Sequence, residues 1–177
     1  MRLFAALTLP DGIVARINMM CSGIPGARWV DPENLHITLR FIGEVDESTA
    51  EEINFNLSHI EAPAFDLELQ GLNTFGQGHK AHALWIGVSP TPELAHLQHK
   101  VDTAIMRAGQ PPEGRKFTPH VTLARLIKPE AGRLQSFIEG NNLFKAGPFT
   151  VDQFTLFESQ TGKGGSVYTA LEDYALT

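Results

Sequence analysis

Two short stretches of this chain repeat one another: His36-Ile37-Thr38-Leu39 and His120-Val121-Thr122-Leu123. In each, a histidine and a threonine alternate with branched aliphatic residues, the period-two pattern of a half-buried strand. Ile37 and Leu39 are expected to face a core, as are Val121 and Leu123 in the second copy. His36 with Thr38, and His120 with Thr122, then share the opposite, open face. Two imidazoles across one cleft can divide the work of general acid and base, because histidine titrates near pH ~6.5 and both forms are available near neutrality. The threonine hydroxyls can donate hydrogen bonds to an oxyanion. A tetrahedral phosphoryl group suits this set better than a planar acyl group, which would call for a nucleophile, and no nucleophilic serine or cysteine motif is evident. The chemistry expected is in-line displacement at phosphorus, one histidine activating water or a hydroxyl and the other protonating the departing oxygen. It calls for no metal and no cofactor, and HExxH and paired-cysteine motifs are absent.

The elements that must position these residues are legible in order. Leu3 to Leu9 reads as a first strand. Asp11 is expected to cap a helix with Ile13, Ile17 and Met20 on one face, ended by Gly23, Pro25 and Gly26. Trp29-Val30-Asp31-Pro32 leads by a turn into the first motif strand, which runs to about Ile42. Ser48-Thr49-Ala50-Glu51 resembles a capping box for a helix from about Ser48 to Ile60. Phe65 to Leu69 and Ala83 to Val88 read as strands joined by a loop at Gly76-Gln77-Gly78-His79-Lys80. Thr91-Pro92-Glu93 starts a helix with Leu94, Leu97, Val101 and Ile105 on its buried stripe. After the second motif strand come a short helix around Leu134 to Ile138, a strand from Phe149 to Phe157, and a turn at Gly162-Lys163-Gly164-Gly165 before a last strand containing Val167 and Tyr168.

This order is a duplication. His36 and His120 stand 84 positions apart, and so do the strand residues Phe65 and Phe149. Each motif strand is followed by a helix and then by a Phe-led strand, so we expect a single bilobal domain over residues 1–177, with one motif per lobe at 36–39 and 120–123. The fold class expected is α+β: two similar lobes, each a mainly antiparallel sheet with helices packed outside, related by a pseudo-twofold axis around a central cleft.

Composition narrows the partners. The formal net charge of -6 argues against a protein that coats nucleic acid through a broad basic surface, and leaves a small phosphorylated ligand or an RNA end. Cys21 is the only cysteine, which excludes an internal disulfide and favours a reducing compartment; beside Met19 and Met20 it reads as a small buried hydrophobe. The opening apolar run is too short for a membrane span, so the expectation is a cytoplasmic protein, monomeric and without a membrane partner.

The tandem His-x-Thr-hydrophobic motifs resemble those of the two-histidine (2H) phosphoesterase superfamily, and the order of elements resembles its RNA 2',3'-cyclic phosphodiesterase, or 2'-5' RNA ligase, branch. The likeness extends to Arg2-Leu3-Phe4-Ala5, Leu9-Pro10, Asn34-Leu35, Phe41-Ile42-Gly43-Glu44, Arg125 and Tyr168-Thr169. It implies hydrolysis of an RNA 2',3'-cyclic phosphate to a 2'-phosphate, with reversible joining of RNA ends through a 2'-5' linkage, and RNA ends, tRNA fragments among them, as partners. By this analogy His36 is the proton donor to the leaving 3' oxygen and His120 the proton acceptor that activates water. The pseudo-symmetry leaves the reverse assignment open. Alternatives are a module that binds phosphorylated RNA ends without turnover, or a phosphodiesterase for small cyclic nucleotides or oligoadenylates.

Thr38 and Thr122 are read as ligand contacts, and Arg125 as the candidate phosphate clamp. Strict alternation puts Arg125 on the face opposite His120, so a bulge must turn it into the cleft, whereas Arg40 already shares the parity of His36 and is the alternative cation. Phe41 stands at the same offset from His36 as Arg125 from His120, and Phe41 and Tyr168 are candidates to stack on a base. Lys80 and Lys163 are loop cations that can attract an RNA backbone. His59, His79, His82, His96 and His99 follow no pattern and read as surface or partly buried residues.

Overall fold

The two motif segments become neighbouring antiparallel strands, β3 (His36–Glu44) and β6 (His120–Leu126), joined at the pair Ile37 and Val121. The computed structural model describes residues 1–177. Its other strands are β1 (Arg2–Thr8), β2 (Ala27–Trp29), β4 (Phe65–Phe75), β5 (Ala83–Val88), β7 (Lys145–Val151), β8 (Gln153–Gly162) and β9 (Gly165–Ala175). The helices are α1 (Asp11–Met20), α2 (Glu47–Ser58), α3 (Pro92–Arg107) and α4 (Ala131–Asn141).

The strand order is β7-β4-β5-β6-β3-β1-β8-β9, and every pairing is antiparallel. The order reads as two four-stranded halves that meet between β6 and β3. β1 lies beside β3 as β5 lies beside β6: Thr8 and Ala6 oppose His36 and Thr38, and Gly87 and Trp85 oppose His120 and Thr122. Within the His120 half β4 pairs with β7, with Phe65 opposite Val151 and Leu67 opposite Phe149. There Thr150 Oγ1 donates to Asp66 Oδ1 at 2.9 Å, across an interval of 84 positions. Ile37 and Val121, paired where the halves meet, are related by the same interval, as a pseudo-twofold axis between β3 and β6 requires. In the main sheet the chain crosses between halves after α2 and after β7, while α1 and β2 lie on the half opposite β1 and α3 on the half opposite β5, so neither half is a continuous segment.

The helices cover one side of this curled sheet. α2 and α3 back the His36 half, touching β9 and β3. On the His120 half, α4 lies against β4, and α1 is tied to β7 by Arg16 Nη2 donating to the Lys145 carbonyl at 2.8 Å. Ile13 and Ile17 of α1, Ile53 and Leu57 of α2, Leu94 to Ile105 of α3, and Leu134 and Phe137 of α4 join the inward residues of the strands in one continuous core. Burying such side chains contributes about 1.5–3 kcal/mol each. A single core spanning both halves fixes their relation.

Several local expectations change. Pro10, not Asp11, occupies the cap position of α1, and no side chain caps that helix. The cap of α2 is Asp46, whose carboxylate accepts from Thr49 N at 2.7 Å, so the helix begins before the proposed Ser48 box. Thr91 does cap α3, accepting from Leu94 N at 3.1 Å. The strand expected from Phe149 to Phe157 is two strands interrupted at Asp152, because β7 pairs with β4 in one half while β8 pairs with β1 in the other. The turn expected from Trp29 follows a short strand, β2, which forms because it pairs with β6 from Ala27 to Trp29. Cys21 follows the last turn of α1, half-buried, and burial pushes its thiol up to about 11, so it is not a thiolate at neutral pH.

Candidate active site

His36 and His120 stand on the open face of the sheet, each held in the same way. His36 Nδ1 lies 2.6 Å from the Asn34 carbonyl and His120 Nδ1 lies 2.6 Å from the Thr118 carbonyl. A carbonyl only accepts, so each Nδ1 carries the hydrogen and the neutral rings present a bare Nε2 to the cleft. The antiparallel register through Ile37 and Val121 sets His36 beside Thr122 and Thr38 beside His120. The two histidines are thus diagonal neighbours, about 7–8 Å apart at their backbones, which leaves room for one tetrahedral group between the rings.

The environments of the rings differ. His36 Nε2 is 2.9 Å from Thr38 Oγ1, which donates to it while the ring is neutral; Phe4 lies at 5.1 Å and Tyr168 meets it edge-on at 5.5 Å. Asn34, whose carbonyl orients this ring, also donates through Nδ2 to the Ser166 carbonyl at 2.9 Å, so the β8–β9 hairpin is fastened to the wall. His120 has Phe75 edge-on at 5.1 Å and Trp85 at 5.4 Å, and its Nε2 makes no hydrogen bond. The indole Nε1 of Trp85 is buried without a partner. Burial lowers the pKa of His36, the Asn34 contact opposes this, and the charge of His120 lowers it further. The two rings therefore sense each other, and the state in which both are charged is disfavoured.

Both motif strands carry a bulge just past the threonine. Ala6 pairs with Thr38 and Ala5 with Arg40, skipping Leu39; Trp85 pairs with Thr122 and Leu84 with Ala124, skipping Leu123. One extra residue reverses the side chains that follow it, up to the next shift, which in β3 comes at Ile42. Phe41, 58% exposed, joins the face of His36 and Thr38, and the exposed Arg125 joins the face of His120 and Thr122. Arg40 is turned into the core, only 5% exposed, where its Nε pairs with Asp102 of α3 at 2.7 Å and its other nitrogens donate to the carbonyls of Phe41 and Pro111. The alternative of Arg40 as the cleft cation is therefore excluded by the bulge. Its counterpart Ala124 is buried in the same way.

Other expected positions separate from this face. His59 and His99 line a separate open hollow of about 580 Å³ between α2 and α3. Lys80 and His79 are exposed in the β4–β5 loop, and Lys163 at the tip of the β8–β9 hairpin. No group of three or more His, Cys, Asp or Glu side chains is clustered as a metal set. No helix is long and apolar enough to cross a membrane. Sequence reading missed Phe4, Phe75 and Trp85 around the rings. The parity of β5 would have placed Trp85 opposite Thr122, but only with the strand pairing known.

Comparison with known proteins meets this geometry from another direction. Residues 13–163 match the model of the 2'-5' RNA ligase superfamily. The chain belongs to the 2H phosphoesterases, in the RNA 2',3'-cyclic phosphodiesterase family. The RNA 2',3'-cyclic phosphodiesterase of Escherichia coli is 32% identical over 180 residues, covering 99% of this chain and 97% of that protein. That of Archaeoglobus fulgidus is 30% identical over 174 residues, covering 97% and 98%. The crystal structure of E. coli LigT complexed with 3'-AMP is similar with a TM-score of 0.78 at 30% identity, covering 99% of this chain and 98% of that one. LigT has also been captured with phosphate, at a TM-score of 0.72 and 28% identity. Members of the family thus bind nucleotide and phosphate ligands, and the present fold is theirs.

Proposed function

We propose that this protein is an RNA 2',3'-cyclic phosphodiesterase that opens the cyclic phosphate to a 2'-phosphate by metal-independent acid–base catalysis. The observation that carries this reading is the diagonal pair of imidazoles on one face of the sheet, with both Nδ1 atoms tied to carbonyls so that each neutral ring keeps Nε2 as its proton acceptor. His120 Nε2, free of any partner, takes a proton from water. The water oxygen forms the new bond to phosphorus in line with the 3' oxygen, that P–O bond breaks, and His36 Nε2–H gives its proton to the departing oxygen. Thr38, Thr122 and Arg125 stabilise charge on the equatorial oxygens. Solvent then returns the proton from His120 to His36. The same step with a 5'-hydroxyl in place of water is 2'-5' ligation.

The lowered pKa of His36 opposes the role of acid in the free protein. Its protonation is opposed by burial and by a charged His120; in the reacting state His120 is neutral and the anionic phosphate offsets the burial. One proton is shared by the pair, which predicts a bell-shaped pH dependence of kcat/KM. Phe41 and Tyr168 flank the His36 side as surfaces for the terminal base, and the matched halves derive from duplication of one unit within a single domain.

The test is incubation with a dinucleotide ending in a 2',3'-cyclic phosphate, followed by phosphorus NMR, with and without chelator. Conversion to the 2'-phosphate in chelator is expected. Retention of the intact cyclic ester by a protein that binds it would identify a binding module instead. Faster turnover of cyclic mononucleotides or oligoadenylates than of RNA ends would reassign the substrate.

A further inference from the structure

The open face carries a second arginine. β2 runs antiparallel to β6 with Ala27 opposite Leu126, Arg28 opposite Arg125 and Trp29 opposite Ala124, without a register shift. Trp29 packs inward, its ring 5.6 Å from that of Phe137, and Ala27 packs against the core, so Arg28 projects to the other side, where it is exposed. Directly opposed residues share a face, so the guanidinium groups of Arg28 and Arg125 stand side by side. Like charges so placed repel. Most arginines elsewhere are engaged: Arg40, Arg115 and Arg133 with carboxylates, and Arg16 with the Lys145 carbonyl. Neither Arg28 nor Arg125 makes a salt bridge or a side-chain hydrogen bond. On the remaining flank of Arg125 stands Ala83, which is small. An unneutralised pair of guanidinium groups is thus held open in an acidic protein, on the same face as the histidines.

We propose that Arg28 and Arg125 form a two-phosphate subsite: Arg125 holds the reacting phosphate and Arg28 the internucleotide phosphodiester next to it in an RNA chain. This rests on the proposed function. Guanidinium groups suit such a role because they bind phosphate oxygens through a planar fork of donors. The arrangement exists on one half only. At the pseudo-symmetric place beside β3 there is no strand; the Pro111 carbonyl there accepts from buried Arg40. RNA therefore leaves the cleft over β2, and the subsite selects an oligonucleotide end over a cyclic mononucleotide.

The experiment compares wild type, Arg28→Ala and Arg28→Lys on two substrates, a cyclic mononucleotide and a dinucleotide with the same cyclic end, across a salt series. Losing a charge-assisted phosphate contact should cost about 10-fold or more in kcat/KM on the dinucleotide. Arg28→Ala is expected to lose at least five times more on the dinucleotide than on the mononucleotide, chiefly through KM. The slope of log(kcat/KM) against log[salt] on the dinucleotide should shrink by about 0.7. Arg28→Lys should recover part of the loss and the salt slope. Equal losses on the two substrates, or an unchanged salt slope, would overturn the subsite. Equilibrium binding of 3'-AMP and of the dinucleotide ApAp reads the same selectivity without turnover: a wild type that binds ApAp more tightly through Arg28 yet cleaves nothing refutes the enzyme and keeps the subsite. Thermal melting checks that each variant is folded; if Arg28→Ala is not, Arg28→Lys and the salt slope of wild type decide.

Discussion

Around His36 the open-face neighbours are Phe4, Phe41 and Tyr168, whereas around His120 they are Phe75, Trp85, Arg125 and, one strand further, Arg28. Yet both rings are held by a carbonyl two residues upstream, and both strands bulge at the leucine after the threonine. The bulge carbonyls show where the halves part. That of Leu123 accepts from the backbone of Val30 at 2.8 Å, next to β2, while that of Leu39 is met by the side chain of Gln98 at 3.4 Å. In the proposed mechanism the shared skeleton serves proton transfer, which needs one ring on each side of the phosphorus. The walls differ, and direction needs such a difference: a cyclic phosphate in a symmetric cleft could enter either way round, whereas on the proposed reading an aromatic wall and a cationic wall present a chosen oxygen to each histidine.

Replacing the rings tests the shared part. His36→Ala and His120→Ala should each lower kcat on the cyclic dinucleotide by about 10²–10⁴-fold. Near wild-type turnover in either would break the equivalence of the two motifs. The consequence of the bulge comes next. Arg40→Ala should lower the free energy of unfolding by about 3 kcal/mol, since it strands Asp102 beneath the sheet. Arg125→Ala should leave urea unfolding within about 0.5 kcal/mol while reducing kcat/KM by about 10- to 100-fold. The opposite pattern for these two arginines would mean that the strands alternate without interruption.

The aromatic wall should yield smaller effects. Phe41→Ala and Tyr168→Ala are each expected to raise KM for the dinucleotide by about 5-fold or more, as base stacking contributes about 1–3 kcal/mol, with kcat nearly constant. Equal effects on a substrate whose terminal nucleoside lacks its base would remove the stacking role. The smallest effect concerns pH. The native pKa of His36 lies below 6.5, so between the two values the unfolded chain holds more protons. Stability from the buried neutral ring is complete above pH ~6.5 and is lost as pH falls through that value toward the native one. Melting of wild type from pH 7 to 5 should show this slope and His36→Gln should reduce it; identical slopes would show that the ring is not desolvated.

The period-two pattern of each motif, its interval of 84 positions and the Thr91 cap are local or repetitive signals, and they led to the architecture and to the facing histidines. Arg125 comes from the family resemblance and Phe41 from standing at the matching offset, with the bulge as a stated condition. What was not legible is which of Arg40 and Arg125 faces the cleft, the existence of β2, and the break at Asp152 between β7 and β8. Three residues at Ala27 to Trp29 have too little pattern to announce a strand, and only the edge of β6 makes them one. In the same way, nothing near Leu39 signals a bulge, since the partners that accommodate it, Asp102 and Gln98, lie about 60 residues away on α3.

The sequence by itself determined the chemistry on offer, two imidazoles and two hydroxyls on matched faces, because side-chain parity along a strand depends only on near neighbours. Only the tertiary structure decided which cation stands beside them and that a second arginine, Arg28, lies next to it on β2. Those outcomes depend on contacts between distant segments, whose energies local pattern does not carry.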